Sequence, residues 1–143
     1  MGYKSWFDAH AKKHEALVAT LKAQGIGDEA LVGYFVFENM RKYVPDFCPL
    51  YTSGKKCHKK EYLNCFLCAC PHFRFQDTGL HVKEDGTVVK SSCAIRSRFA
   101  KKFVHGGVEH LDCSACVLPH TKAFVRSCVD KPWRETMRAC QVC

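Results

Sequence analysis

Between Cys48 and Cys116 the chain places eight cysteines, three of them inside the run Cys65-Phe66-Leu67-Cys68-Ala69-Cys70 and two in Cys113-Ser114-Ala115-Cys116. Side chains two and three residues apart can converge on one ion or cluster, and thiolate is a ligand that zinc and iron-sulfur centres hold tightly. The competing use of cysteine is the disulfide. Met1-Gly2-Tyr3-Lys4-Ser5 runs straight into an amphipathic segment without the apolar core or cleavage site of a secretory signal. We therefore expect a cytoplasmic protein whose thiols stay reduced, and the total of eleven cysteines cannot all pair within one chain. No apolar run approaches membrane-spanning length, so no membrane partner is expected.

A length of 143 residues fits one domain with a modest core. The 47% hydrophobic count includes the cysteines, so ordinary apolar residues are scarcer than it suggests, and bound metal is expected to supply part of the stability. The expected fold is a small, metal-stabilised α+β domain over 1–143, with an N-terminal helical hairpin (1–44), an irregular cysteine-rich metal-binding core holding a short β-hairpin (45–119) and a C-terminal helical tail (120–143). The formal charge of +8 counts every cysteine as neutral. Eight thiolates on two zinc ions, or on two [4Fe-4S] clusters, would lower it to roughly +4, so the basicity alone does not name an anionic partner.

Phe7, His10, Leu17, Val18 and Leu21 recur at helical spacing, which predicts a first helix with Ser5 and Asp8 as a capping box and Gly25 with Gly27 as its stop. A second helix is predicted from Asp28 to the break before Pro45, apolar all round at Tyr34-Phe35-Val36-Phe37. His10 and His14 stand at i, i+4 spacing. Without an intervening Glu or a nearby third ligand they read as solvated or core-edge residues rather than a metal pair. Leu80–Lys83 and Thr87–Lys90 flank Glu84-Asp85-Gly86 and predict a β-hairpin. Ile95–Val104 is predicted helical, with Phe99 and Phe103 on its inner face, Arg96, Arg98, Lys101 and Lys102 on its back, and Gly106-Gly107 ending it. The segment from His120 to Cys143 is helical by composition, is interrupted at Pro132 and finishes on Cys140-Gln141-Val142-Cys143.

Several blocks then occur in order: Phe47-Cys48-Pro49-Leu50-Tyr51, Cys57-His58, Leu63-Asn64-Cys65 with Cys68-x-Cys70-Pro71, Cys93, His110-x-Asp112-Cys113-Ser114-x-Cys116, and Pro119-His120. In these blocks, over roughly half its length, the chain resembles the cysteine-rich small domain family, also called zinc-finger-like. The resemblance implies a metal-binding domain that in some proteins accompanies an adenosylcobinamide amidohydrolase; no such hydrolase domain is read here. Cys140 and Cys143 lie outside the matching blocks, and Cys128 has no assigned role.

Four thiolates complete a structural zinc or a [4Fe-4S] cluster, and Cys48, Cys57, Cys65, Cys68, Cys70, Cys93, Cys113 and Cys116 make two such sets. One partition puts Cys48, Cys57, Cys65 and Cys68 in a first site and Cys70, Cys93, Cys113 and Cys116 in a second; a single site with spare cysteines is the alternative. His58 is read as a surface or supporting residue, because adjacent side chains diverge. His110 and His120 are read either as ligands or as hydrogen-bond donors to thiolate sulfur. Zinc is favoured as cofactor, with [4Fe-4S] the alternative suggested by the apolar Phe66, Leu67 and Pro71 beside the thiolates. The expected function is a metal-binding accessory or binding module with a protein partner; the alternative is an iron-sulfur redox or electron-transfer protein. A basic face of Arg96, Arg98, Lys101, Lys102, Lys122 and Arg126 would suit RNA or a nucleotide, but helical spacing turns Phe99, Phe103 and Phe124 inward and weakens that reading. An enzyme is disfavoured, because surplus thiolates close the vacant position that catalytic zinc needs; Glu61, Glu109 and Asp112 are the acids available to such a reaction.

Overall fold

The computed structural model describes residues 3–68, 81–89, 93, 97–112 and 116–137. Within them the chain is a small α+β fold of five α-helices and a four-stranded mixed sheet. Helix α1 (Tyr3–Ala23) buries Phe7, His10, Ala11, His14 and Leu21, one face at 3.6-residue period. Its end is a Schellman turn: Gly25 takes φ 85°, Gly25 N–H donates to Lys22 C=O, and Ile26 N–H donates to Leu21 C=O. Ser5 lies inside the helix rather than before it, so the expected Ser5–Asp8 capping box is not the start of α1.

The expected second helix is two helices, α2 (Asp28–Tyr34) and α3 (Phe37–Tyr43). Val36 between them adopts an extended conformation, φ −67°, ψ 148°, and pairs with Asn64. Phe37 N–H donates to Leu63 C=O at 2.8 Å and Cys65 N–H to Phe35 C=O at 2.7 Å. The helix breaks because its backbone groups find partners in the cysteine loop, and a β-branched residue inside an all-apolar stretch suits an extended bridge better than a helical turn. The short 3₁₀ turn η1 (Tyr51–Ser53) precedes that loop.

Strands β1 (His81–Val82) and β2 (Val88–Val89) form the anticipated antiparallel hairpin, with Val82 opposite Val88; Leu80 and Lys90 lie outside the described residues. The segment expected to be helical through Val104 is instead strand β3 (Lys101–His105), antiparallel to β4 (Val108–Asp112), while Ile95 and Arg96 lie outside the described residues. Gly106 and Gly107 have φ 59° and 74° and join His105 to Val108 in a two-residue hairpin turn. A primed turn needs positive φ at both central positions, which glycine adopts without a Cβ clash, so this Gly-Gly is a strand connection and not a helix stop. The sheet order is β1-β2-β4-β3, with β2 and β4 parallel and β3 at one edge.

The chain closes with the 3₁₀ turn η2 (Leu118–His120) and helices α4 (Lys122–Cys128) and α5 (Trp133–Met137). Thr121 caps α4 by accepting the Phe124 N–H, and Pro132 separates the two helices as expected. An aromatic cluster joins α1 to α5 and to the cysteine loop: Trp133 meets Phe7 at 4.7 Å and His10 at 4.8 Å between ring centres, and His14 meets Phe66 at 4.6 Å. None of the described helices is long and apolar enough to cross a membrane.

His10 and His14 are thus core residues, 4% and 1% exposed, and not a solvated pair. His14 Nε2–H donates to Phe66 C=O at 3.0 Å, whereas His10 Nε2 is buried without a hydrogen-bond partner among the described residues. Burial, with smaller contributions from His14 and Lys13, pulls His10 down to about 3; burial likewise pulls His14 to about 4, against the Phe66 carbonyl. Both stay neutral in the folded chain but take up protons near 6.5 when unfolded, so stability is full above pH 6.5 and falls as pH drops toward 4. Chemical denaturation at pH 7 and pH 5 is expected to show a loss of about 2 kcal/mol per histidine. His10→Leu is expected to remove about 2 kcal/mol of the total loss, an effect that acid release of a metal would not reproduce.

Candidate metal centre

The loop between η1 and Asn64 carries Cys57 and His58 and has no regular structure of its own. It is cinched by Lys56, whose Nζ donates to Lys60 C=O at 2.8 Å and Glu61 C=O at 3.0 Å. The same ammonium pairs with Glu38 at 3.3 Å and lies 5.3 Å from the centre of the Phe37 ring, which fixes the loop to α3. One lysine thereby supplies carbonyl partners, charge balance and packing to a stretch that lacks a ladder.

The opposing donor comes from η2. His120 is buried and accepts the Asn64 N–H through its own carbonyl at 3.0 Å, while its Nδ1–H donates to Asn64 C=O at 2.7 Å. That second bond leaves Nε2 as the ring's lone-pair nitrogen and points it at Cys57 Sγ, 3.7 Å away. Burial first, and the neighbouring His58 second, lower His120 to about 4 against the Asn64 carbonyl, so the ring is neutral at physiological pH. Metal-binding histidines commonly have one nitrogen held by a carbonyl and the other free for the ion.

His58 Nδ1 lies 3.2 Å from Cys57 Sγ, and the His58 and His120 rings are 4.9 Å apart. Cys57, His58 and His120 each offer a donor atom within 4.8 Å of the others, a cluster that can hold a metal ion. The expectation that adjacent side chains diverge is corrected here: the bend at Cys57-His58 brings the exposed Cys57 thiol and the half-buried His58 ring together beside His120. His120, one of two histidines considered as ligands, is in the cluster; His110 is placed on β4.

The other cysteines fall into two neighbourhoods. The Tyr51 hydroxyl is buried without a hydrogen-bond partner among the described residues, and burial first, then the influence of Cys65, Cys68 and Cys48, pushes its ionisation well above the usual range. Cys48 is drawn down to about 7 by the Cys68 thiol and the amides of Leu50 and Tyr51. Cys65 is pushed up to about 12 by burial, with the charges of Cys57, Cys48 and Glu38 adding to it and Tyr51 opposing. Elsewhere Ser97 links two distant thiols: its N–H donates to Cys93 Sγ at 3.2 Å and its hydroxyl meets Cys116 Sγ at 2.9 Å. Cys70, Cys113, Cys140 and Cys143 lie outside the described residues. Cys128 is buried on α4, with its thiol against the Phe124 and Val125 carbonyls, and reads as a packed core residue. No described cysteine forms a disulfide. Of the acids considered for hydrolysis, Glu109 is buried between Lys83 at 2.7 Å and Lys102 at 3.8 Å.

Asn64 and Ser97 were not singled out by sequence reading. The signal for Asn64 was present: one uncharged polar residue inside the apolar run Leu63 to Leu67 marks a buried side chain whose hydrogen bonds are filled. No comparable signal marked Ser97, whose partners are distant in sequence. Asn64→Ala is expected to destabilise the chain by about 3 kcal/mol, since it leaves the buried Val32 carbonyl and Phe66 amide unpaired. Metal affinity, measured by competition with a chromogenic chelator, is expected to fall about tenfold or more as the Asn64 backbone loses its hold on His120.

Comparison with protein-family models, curated proteins and solved structures returns no match to this chain, so the functional reading rests on its own residues and their arrangement.

Proposed function

We propose that this chain is a metal-binding accessory module whose centre is built on Cys57, His58 and His120, with zinc as the ion. The observation that carries the reading is the aim of His120: one ring nitrogen is fixed on the Asn64 carbonyl and the other faces Cys57 Sγ at 3.7 Å. A mixed set of one thiolate and two imidazoles suits zinc, which accepts sulfur and nitrogen donors in a tetrahedral site, better than an iron-sulfur cluster, which is usually held by cysteines alone. These three donors stand within reach of one ion, and a tetrahedral site would draw its fourth ligand from outside that group. A set of this kind serves structure: it ties the loop around Cys57 to η2 and fits the metal stabilisation expected of a chain with a modest core. On this reading the chain belongs with the cysteine-rich small domain family that its blocks resemble, and its activity is to present a surface to a protein partner.

The second reading, an iron-sulfur redox protein, draws support from the thiols of Cys93 and Cys116. The Ser97 amide donates to Cys93 sulfur and the Ser97 hydroxyl sits on Cys116 sulfur, hydrogen bonds of the sort that tune cluster potential.

Elemental analysis and visible absorption of anaerobically purified protein separate the two. We expect a colourless sample with stoichiometric zinc, and a Cys57→Ser or His120→Ala protein that retains less than about a tenth of it, because removing one of four ligands costs a tetrahedral site most of its affinity. Cobalt substitution should give the absorption of a tetrahedral thiolate complex in the parent chain only. A brown iron-containing sample whose metal survives both substitutions refutes the zinc module.

A further inference from the structure

The segment from Ser97 to His105 holds Arg98, Lys101, Lys102 and His105 and no acidic residue. Its aromatic residues are not turned into the core, as a helix would have turned them. Phe103, on the edge strand β3, is 46% exposed, and Phe99, in the turn that precedes the strand, is 41% exposed. All five residues of β3 are exposed. Arg98 lies over the Phe99 ring at 5.0 Å, holding a planar cation beside a planar apolar surface. The acids of the hairpin sit one strand inward. Glu109 is buried and held by Lys83 and Lys102 together, and Asp112, opposite Lys101, is half-buried.

We propose that the β3 edge and the turn before it, with Phe99 and Phe103 as stacking platforms and Arg98 and Lys101 as phosphate contacts, bind single-stranded nucleic acid. Bases stack on exposed aromatic rings whatever their sequence, while lysine and arginine along the same segment track the backbone charge. Both components are needed and both lie within eight residues of chain. Pairing with an added protein strand fits less well, since adjacent exposed lysines on an edge strand are a common device against such pairing. Duplex fits less well too, because its bases are already stacked and offer the rings nothing. The inference is independent of the metal reading, which concerns other residues.

The test is fluorescence anisotropy of the full, metal-replete chain with labelled oligouridylate and oligothymidylate of about 12 nucleotides and with a duplex of equal length. Binding of the single strands is expected to exceed that of duplex and to weaken between about 50 and about 200 mM salt. Phe99→Ala and Phe103→Ala are each expected to weaken binding about tenfold with the salt slope unchanged. Lys101→Gln should lower the slope by roughly 0.7, one phosphate's worth. Thermal melting of each variant checks that these exposed positions leave the fold intact. A preference for uridylate assigns RNA and equal binding assigns either strand; both uphold the proposal. It is overturned if no oligonucleotide binds, if duplex binds as tightly as single strand, or if the folded phenylalanine variants bind like the parent. Capture of an extended peptide by this edge without oligonucleotide binding also overturns it and assigns the surface to protein.

Discussion

Asn64 carries no charge, yet the helices, the cysteine loop and the candidate centre all converge on its hydrogen bonds. Its side-chain amide donates to Val32 C=O at 2.8 Å and to the Tyr62 hydroxyl at 3.2 Å, and its side-chain oxygen accepts Phe66 N–H at 3.0 Å. Its backbone exchanges two bonds with His120. A fully buried amide with its donors and acceptor engaged acts as a rigid joint, because each bond lost would strand another buried polar group. The break between α2 and α3 follows from the same joint. Phe35 caps the end of α2 and Phe37 opens α3, which frees the Phe35 carbonyl and the Phe37 amide to pair with the residues on either side of Asn64.

Local signals were legible and long-range ones were not. The buried face of α1 and its glycine stop could be read because both depend on residues within a few positions of each other. The hairpin at Val82 and Val88 could be read for the same reason, through its Asp-Gly turn. The split of the second helix could not, since the partner that captures Phe35 and Phe37 lies nearly thirty residues away. The misassigned segment before Gly106 is instructive in another way. Phe99 and Phe103 fit a helical period, and Gly-Gly fits a helix stop, but the aromatic Phe103 and β-branched Val104 suit a strand equally well. What decided it was β4, which offers a partner for every residue of β3. At the candidate centre, cysteine richness pointed to metal chemistry, but the donors that cluster include His58, which was set aside as Cys57's neighbour. Spacing rules assume regular backbone, and the loop around Lys56 has none.

The described thiols occupy environments of opposite character, and this bears on what a cation does here. Cys48 is met by backbone amides and a neighbouring thiol, which favour its thiolate. Cys65 is buried in the aromatic core and opposed by negative neighbours, which favour its neutral form. Without a cation the second cannot ionise beside the first except at a cost. A divalent ion reverses the balance, because it supplies the charge that desolvation removes and replaces a proton on each ligand.

The cysteine loop, with little secondary structure of its own, is anchored at several points. His14 holds the Phe66 carbonyl, Trp133 Nε1–H donates to Cys68 C=O at 3.1 Å, and Lys56 holds the carbonyls after His58. Each anchor comes from a different element: α1, α5 and the loop itself. A loop satisfied only by its own turns could adopt several conformations at similar free energy, and donor atoms carried on it would be dispersed among them. Tying its carbonyls to packed aromatic and histidine side chains removes that freedom before any ion arrives. The ordering cost is then met by folding and not by binding, and this is how three donors from a loop and a single 3₁₀ turn can stand within 4.8 Å of one another.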